Sequence, residues 1–441
     1  MTSTLATPWT SGAVSPAAPR LAEGTDLLGT YKDSGCIQAP CIIRSADGRM
    51  LEVSPLLHHL ALNLGGAPDL EVVAARMTAD LGRRISVESV GYLIDKKLRP
   101  LGVIADSTTT PPPRPTPELL GLTLHGGVVP ASAVRGFTTA LRPLFLPAVV
   151  VVVLVMFLAV DVQLLLSRDI GRAVHGVFSD PTILLLVVGL TLVASGFHEL
   201  GHATASRYGG AEPGVIGAGI YLIWPVFYND LNDSHRLGRA GRLRCDLGGV
   251  YFNVVFILAL VGVYSLTGFE PLLVAVAVQH LVILQQFLPF VRLDGYYVVS
   301  DIAGVPDLFG RIKPILLSLI PGRPAGGAVT ELKARARRIV TAWVLISVPL
   351  LAFCLVFLAF SMPSLVTSTA TSLVAQANAL VGAVEAAAFP AAALAAIQIL
   401  GLAIPVIGIS VTLVRALSRG RRFRLHRWVG RGILSFGAPS S

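Results

Sequence analysis

Two histidines and a glutamate fall within five residues, His198-Glu199-Leu200-Gly201-His202. Histidines four apart lie on one face of a helix, so both imidazoles can reach a single metal ion while Glu199 projects from the neighbouring flank. Zinc in such a site lowers the pKa of water to about 7. A carboxylate beside it can take that proton as water attacks a carbonyl carbon, then return it to a leaving amine. A catalytic zinc takes three protein ligands and keeps a fourth position open, so the chain must supply another donor. The reading selects Asp294, in the stretch Gln285 to Tyr297. There Pro289 ends a helix and Gly295 lets backbone pass close to the metal. Plainer roles compete: polar side chains at a helix end reaching for the interface, and Asp294 as a helix cap.

The element that must carry the histidines is a helix starting near Pro181 and ending around Arg207. At 1.5 Å per residue, His198 lies ~26 Å along it, inside or at the edge of a hydrocarbon layer of ~30 Å. An ionised carboxylate there costs a few kcal/mol unless partnered, which calls for a metal or a polar cavity. The membrane setting follows from composition: of 441 residues, 53% are hydrophobic and 14% charged, too apolar for an ordinary soluble chain. Six stretches approach the length of a span: Pro143 to Leu166, Pro181 to Ser195, Leu247 to Leu266, Pro271 to Phe290, Ile339 to Phe360 and Ala391 to Val414. Ser364 to Phe389 is assigned to the outer interface.

The formal charge of +9 is spread as Lys and Arg clusters beside those stretches, an orientation signal and no nucleic-acid surface. Arg135 and Arg142, Arg236 to Arg244, Lys333 to Arg338 and Arg415 to Arg431 can all face the cytoplasm, with both termini inside; Arg168 and Arg172 fit this less well. The first 26 residues lack an apolar signal region, which agrees with a cytoplasmic N-terminus. Cys36, Cys41, Cys245 and Cys354 form no disulfide framework and read as reduced structural thiols.

Between Leu27 and Asp106 the chain reads as a small soluble domain: a hairpin turning at Asp47-Gly48, then three helices capped by Ser54, Asp69 and Ser86. Leu70, Val73, Ala74, Met77 and Leu81 give the second helix one buried face. Its basic residues are offset by acidic ones, which argues against DNA binding. This region, through Arg49 to Gly66 and Leu70 to Ile104, resembles the PqqD-like peptide-recognition domain. The resemblance implies capture of a leader peptide as an added strand on the sheet edge. A Pro/Thr-rich stretch then reads as a stiff linker.

With HELGH and Pro289 to Gly295 both in hand, Leu141 to Leu308 resembles the site-2 protease family of intramembrane zinc metalloproteases. That implies zinc on His198, His202 and Asp294, with Glu199 as the base. The family's Asn three residues before the proline is Gln286 here, a candidate substrate-holding amide. Gly249 to Asn253 resembles its Gly-Pro-x-x-Asn segment with Val250 in place of proline, so Asn253 could bond substrate backbone or tie two helices together. Gly214 to Asp230 reads as a re-entrant strand or hairpin, an element that in that family presents a strand edge to unwound substrate. His280 reads as a polar interhelical contact. The combination looks like the membrane metalloproteases of daptide-type ribosomal peptide pathways, which implies leader removal.

The fold class expected is therefore an α-helical polytopic membrane protein with a small N-terminal winged-helix-like α+β domain. Its divisions are a flexible tail (1–26), the peptide-recognition domain (27–106), the linker (107–130), a transmembrane metalloprotease domain of about six spans (131–415) and a basic cytoplasmic tail (416–441). The expected partners are a peptide precursor or membrane-associated peptide and the lipid bilayer of the cell membrane, with no nucleic acid. Regulated cleavage of a transmembrane protein, and noncatalytic peptide or metal transport, stand as alternatives.

Overall fold

A computed structural model describes residues 19–46, 50–67, 69–105, 122–167, 181–221, 224–323, 326–404 and 406–407. The tail up to residue 18, the turn at Asp47-Gly48, most of the Pro/Thr-rich linker, Arg168 and Arg172, and the basic C-terminal tail lie outside it. The chain divides into two units: residues 1–116 with 326–336, and residues 117–325 with 337–441.

In the first unit, β1 (Asp26–Thr30), β2 (Cys41–Arg44) and β3 (Met50–Val53) form an antiparallel sheet in that order, with Ile43 opposite Leu51. Three helices follow: α1 (Pro55–Leu64), α2 (Leu70–Leu81) and α3 (Val87–Leu93). The side chains of Ser54, Asp69 and Ser86 accept from the Leu57, Val72 and Ser89 amides, closing three helix starts that otherwise leave donors bare. Leu60, Val73, Met77, Val90, Ile94 and Leu98 make one core, and Ile43, Val53, Ala61 and Val103 another between sheet and helices. Leu81, expected on the buried face of α2, is 38% exposed, because it sits in the last turn before Gly82 ends the helix with φ 63°.

A segment expected among the transmembrane elements also belongs to this unit. Cys36 bridges to Leu332, Ile37 N–H donates to the Glu331 carbonyl (2.7 Å), Lys333 N–H to that of Gly35 (2.8 Å), and Lys333 Nζ to that of Ser34 (2.8 Å). These bonds satisfy backbone groups that a loop alone would leave to water. Such a pairing has no local sequence signal.

The second unit opens with β4 (Leu122–Val129), which lies inside the stretch read as linker. It continues with α4 (Ala131–Leu141), α5 (Pro147–Ser167), α6 (Pro181–Tyr208), β5 (Ile216–Tyr221), β6 (Trp224–Asn229), α7 (Arg239–Asp246), α8 (Gly248–Thr267), α9 (Pro271–Gln286), α10 (Asp294–Ala303) and α11 (Phe309–Ser318). Last come α12 (Ala334–Glu385), which starts in the first unit, and α13 (Phe389–Ile404). The expected hairpin is present as β5 and β6, and β4 pairs antiparallel on the other side of β5. Leu164, Val187, Ile257, Leu260, Leu273 and Val276 pack α5, α6, α8 and α9 together.

Among the described residues four helices are long and apolar enough to cross a membrane: Pro147–Leu166, Thr182–Tyr208, Gly248–Thr267 and Ala334–Glu385. Outward side chains such as Leu158 (66% exposed) and Leu165 (82%) suit lipid. The other two stretches expected to span hold shorter apolar helices, α9 and the described part of α13. Ser364 onward is no separate interfacial piece, since α12 runs unbroken for 52 residues. Its polar side chains bond back along the helix, Thr367 Oγ1 to the Pro363 carbonyl (3.1 Å) and Thr371 Oγ1 to that of Thr367 (3.0 Å). At ~78 Å, α12 exceeds any single crossing.

Candidate metal centre

The site forms where α6 crosses α8 at glycines. A Cβ on Gly248 would meet the Gly201 carbonyl at 2.7 Å, so only glycine allows this approach. One residue on, a Cβ on Gly249 would overlap the imidazoles of both His198 and His202. The backbone of α8 is thus the floor beneath the two rings.

His198 and His202 are buried and lie edge to face, ring planes at 84°, with their Nε2 atoms 3.1 Å apart. α10 begins at Asp294, whose carboxylate oxygens stand 3.3 Å from His198 Nε2 and 3.4 Å from His202 Nε2. Two metal bonds of ~2.0–2.1 Å at a tetrahedral angle place their donor atoms about 3.3 Å apart, and each neighbouring pair here, with Oδ2 facing His198 and Oδ1 facing His202, stands near that separation. His202 Nδ1 is 2.7 Å from the Cys245 carbonyl, which can only accept, so Nδ1 carries a proton and Nε2 is the nitrogen turned toward His198 and Asp294. Two imidazole nitrogens and a carboxylate converging in one buried pocket fit a cation. Among the described residues this is the one group of three or more His, Cys, Asp or Glu side chains disposed to hold a metal.

Burial alone would raise the Asp294 carboxyl. His202 first and then His198 outweigh it and hold the group below the ordinary carboxylate range, so it is an anion ready to ligate. Glu199 lies within electrostatic reach of His202, His198 and Asp294, and its backbone carbonyl accepts from Asn229 Nδ2 (3.0 Å), which ties the end of β6 to the metal helix. Asn253, one turn along α8 from Gly249, is 1% exposed, and neither its Nδ2 nor its Oδ1 has a partner. Gln286 closes α9 with its backbone carbonyl against Gly295, and its side chain bonds none of the other site residues. His280 Nε2 pairs with Asp161 Oδ1 at 3.1 Å, an interhelical contact away from the triangle. All four cysteines are free. Burial pushes the Cys245 thiol up to about 12, so this residue contributes its carbonyl and no thiolate.

Two contributors escaped the sequence: Cys245 through its backbone, and Asn229 as an anchor. The sequence marks Gly249 only as the start of the segment ending at Asn253, and its part as the floor beneath the rings comes with the fold.

No family model matches this chain, and no solved structure matches it. A curated relative is the Bacillus subtilis (strain 168) protein named "Putative peptide zinc metalloprotease protein YydH", 26% identical over 119 residues, which cover 26% of this chain and 46% of that protein. The chain thus spans about half the length of that relative. The chain's own geometry gives a His-His-Asp group disposed to hold a metal, among helices long and apolar enough to cross a membrane.

Proposed function

We propose that the chain is a zinc-dependent endopeptidase of the cell membrane that removes the leader from a ribosomally made peptide precursor. The observation that carries the hydrolytic reading is the convergence of His198, His202 and Asp294, the two Nε2 atoms 3.1 Å apart and each with one Asp294 carboxylate oxygen at 3.3 to 3.4 Å. Zinc held there would supply the Lewis acidity that lowers the pKa of water to about 7 and polarises a peptide carbonyl. Glu199, on the flank of the same helical turn, takes the proton of the attacking water and delivers it to the departing amine. Asn253 offers both a donor and an acceptor to substrate backbone. Among the described residues β6 pairs on one side only, with β5, so its other edge is open to an extended peptide. An extended segment suits cleavage, because helical peptide bonds are shielded by their own turns.

The leader-removal reading draws on the small sheet-and-helix unit at the N-terminus, here taken as a winged-helix-like peptide-recognition module facing the cytoplasm with both chain termini. Holding a precursor there raises its effective concentration at the metal. The test is mass spectrometry of a co-expressed candidate precursor. Shortening is expected with the wild type and lost by about 10²–10⁴-fold in Glu199→Gln, the range of a general base. Persistent shortening in that variant would remove Glu199 from its role. Shortened single-span membrane proteins beside intact precursors would replace leader removal with regulated intramembrane cleavage.

A further inference from the structure

Behind the metal triangle lies a second buried polar group, on α7 and α10. Arg242 is 3% exposed and Asp301 7%, and Arg242 Nε donates to Asp301 Oδ1 at 2.6 Å while Nη1 donates to the Leu237 carbonyl at 2.8 Å. Asp246 shares a hydrogen bond with Asp301, and His235 also faces the pair. Burial, with Asp301 beside it, raises the Asp246 carboxyl well above the usual range, and burial lowers His235.

The places of these two residues matter more than their charge. Arg242 sits one turn before Cys245, whose carbonyl fixes the His202 ring. Asp301 sits two turns after Asp294 on the same side of α10, since residues seven apart share a helix face. The ion pair thus joins the helix that orients one metal ligand to the helix that supplies another. A buried ion pair adds little net stability over apolar side chains of the same size. What it adds is direction: a planar guanidinium held at two atoms permits one register of α7 against α10.

Resting on the metal centre described above, we propose that Arg242 and Asp301 are positioning residues of that centre, setting the separation of the His202 and Asp294 donor atoms through the carbonyl of Cys245 and the start of α10. Sliding α10 by about 1 Å would carry the Asp294 carboxylate away from its 3.3 and 3.4 Å contacts with the two Nε2 atoms.

The experiment uses the purified full-length protein in detergent, loaded with cobalt(II) and titrated against a chelator, with thermal unfolding alongside. Arg242→Met with Asp301→Leu replaces the pair by apolar side chains and leaves every ligand in place. Unfolding close to wild type is expected, with metal affinity weaker by about 10–100-fold, the range for partners that orient ligands, and altered cobalt ligand-field bands. A folded double variant with wild-type affinity and an unchanged spectrum overturns the positioning role alone. Wild-type protein that takes up no cobalt overturns the metal centre itself, and this role with it. If the double variant is not recovered folded, Arg242→Lys keeps the charge but cannot hold Asp301 and the Leu237 carbonyl in one plane. Weakened cobalt binding is then expected, and wild-type binding overturns the proposal.

Discussion

His202 is held at both ends of its ring, by the Cys245 carbonyl at Nδ1 and by His198 and Asp294 around Nε2. The same crowding makes Gly249 an exacting position. Gly249→Ala puts a methyl where both imidazoles lie, so zinc per purified chain, read by elemental analysis, should fall from about one toward zero while the protein stays in the membrane fraction. Full zinc content in that variant would mean the rings do not lie on α8. Asn253→Ala separates substrate binding from a structural tie. Losing one hydrogen bond to substrate backbone costs about 1.4 kcal/mol, a tenfold fall in kcat/KM with zinc content unchanged. A large drop in thermal stability with unchanged kinetics would favour a helix-to-helix tie. The histidines and Glu199 were legible because helical periodicity alone puts them together. Asp294 was legible by its proline and glycine neighbours, whereas Gly249 and Cys245 act through proximity that only the folded chain creates.

The capped helices of the first unit are local structures, and their start signals at Ser54, Asp69 and Ser86 could be read directly, because a side chain there bonds an amide three residues on. Within α1, His58 is 8% exposed and its buried Nε2 has no partner. Burial, then His59, lowers its pKa below 6.5. The unfolded chain then binds more protons than the folded one in mild acid, so stability from neutral His58 is present above about 6.5 and is lost as the pH falls toward the lowered folded value. Thermal unfolding at pH 7.5 and 5.5 should show the acid loss, and His58→Leu should flatten it; an equal slope in the variant would discard His58 as its source. The 326–336 segment gives a second check. The Ile37 and Lys333 amides, each donated to a carbonyl across that junction, should exchange with deuterium slowly, and exchange at the rate of an unprotected amide would remove that pairing.

Across the whole molecule, a metal held at this site would link two histidines of α6 to an aspartate of α10, so it would favour the folded state over the unfolded one. At a thousandfold excess over its dissociation constant it should stabilise by about 4 kcal/mol, and chelation should lower the unfolding temperature correspondingly. Identical unfolding with and without metal would remove the centre from the fold. Helix number was less legible than helix chemistry. Hydropathy marks apolar runs, yet whether 16 residues of α9 or 52 of α12 make a crossing depends on where each helix ends, and of those ends only that of α9, with Pro289 three residues on, carries a local signal. β4 was hidden for a similar reason: a strand whose partner is nearly a hundred residues away has no local period of its own.

What the sequence determined by itself is what short-range geometry fixes: two imidazoles and a carboxylate on one helical turn, the apolar character of the helices around them, and the caps that start three others. The tertiary structure decided the rest. It laid the bare backbone of Gly249 beneath the rings, brought Asp294 within 3.4 Å of them, and tied α7 to α10 through Arg242 and Asp301. These are contacts between atoms far apart along the chain, and they exist only once burial has packed the helices that carry them.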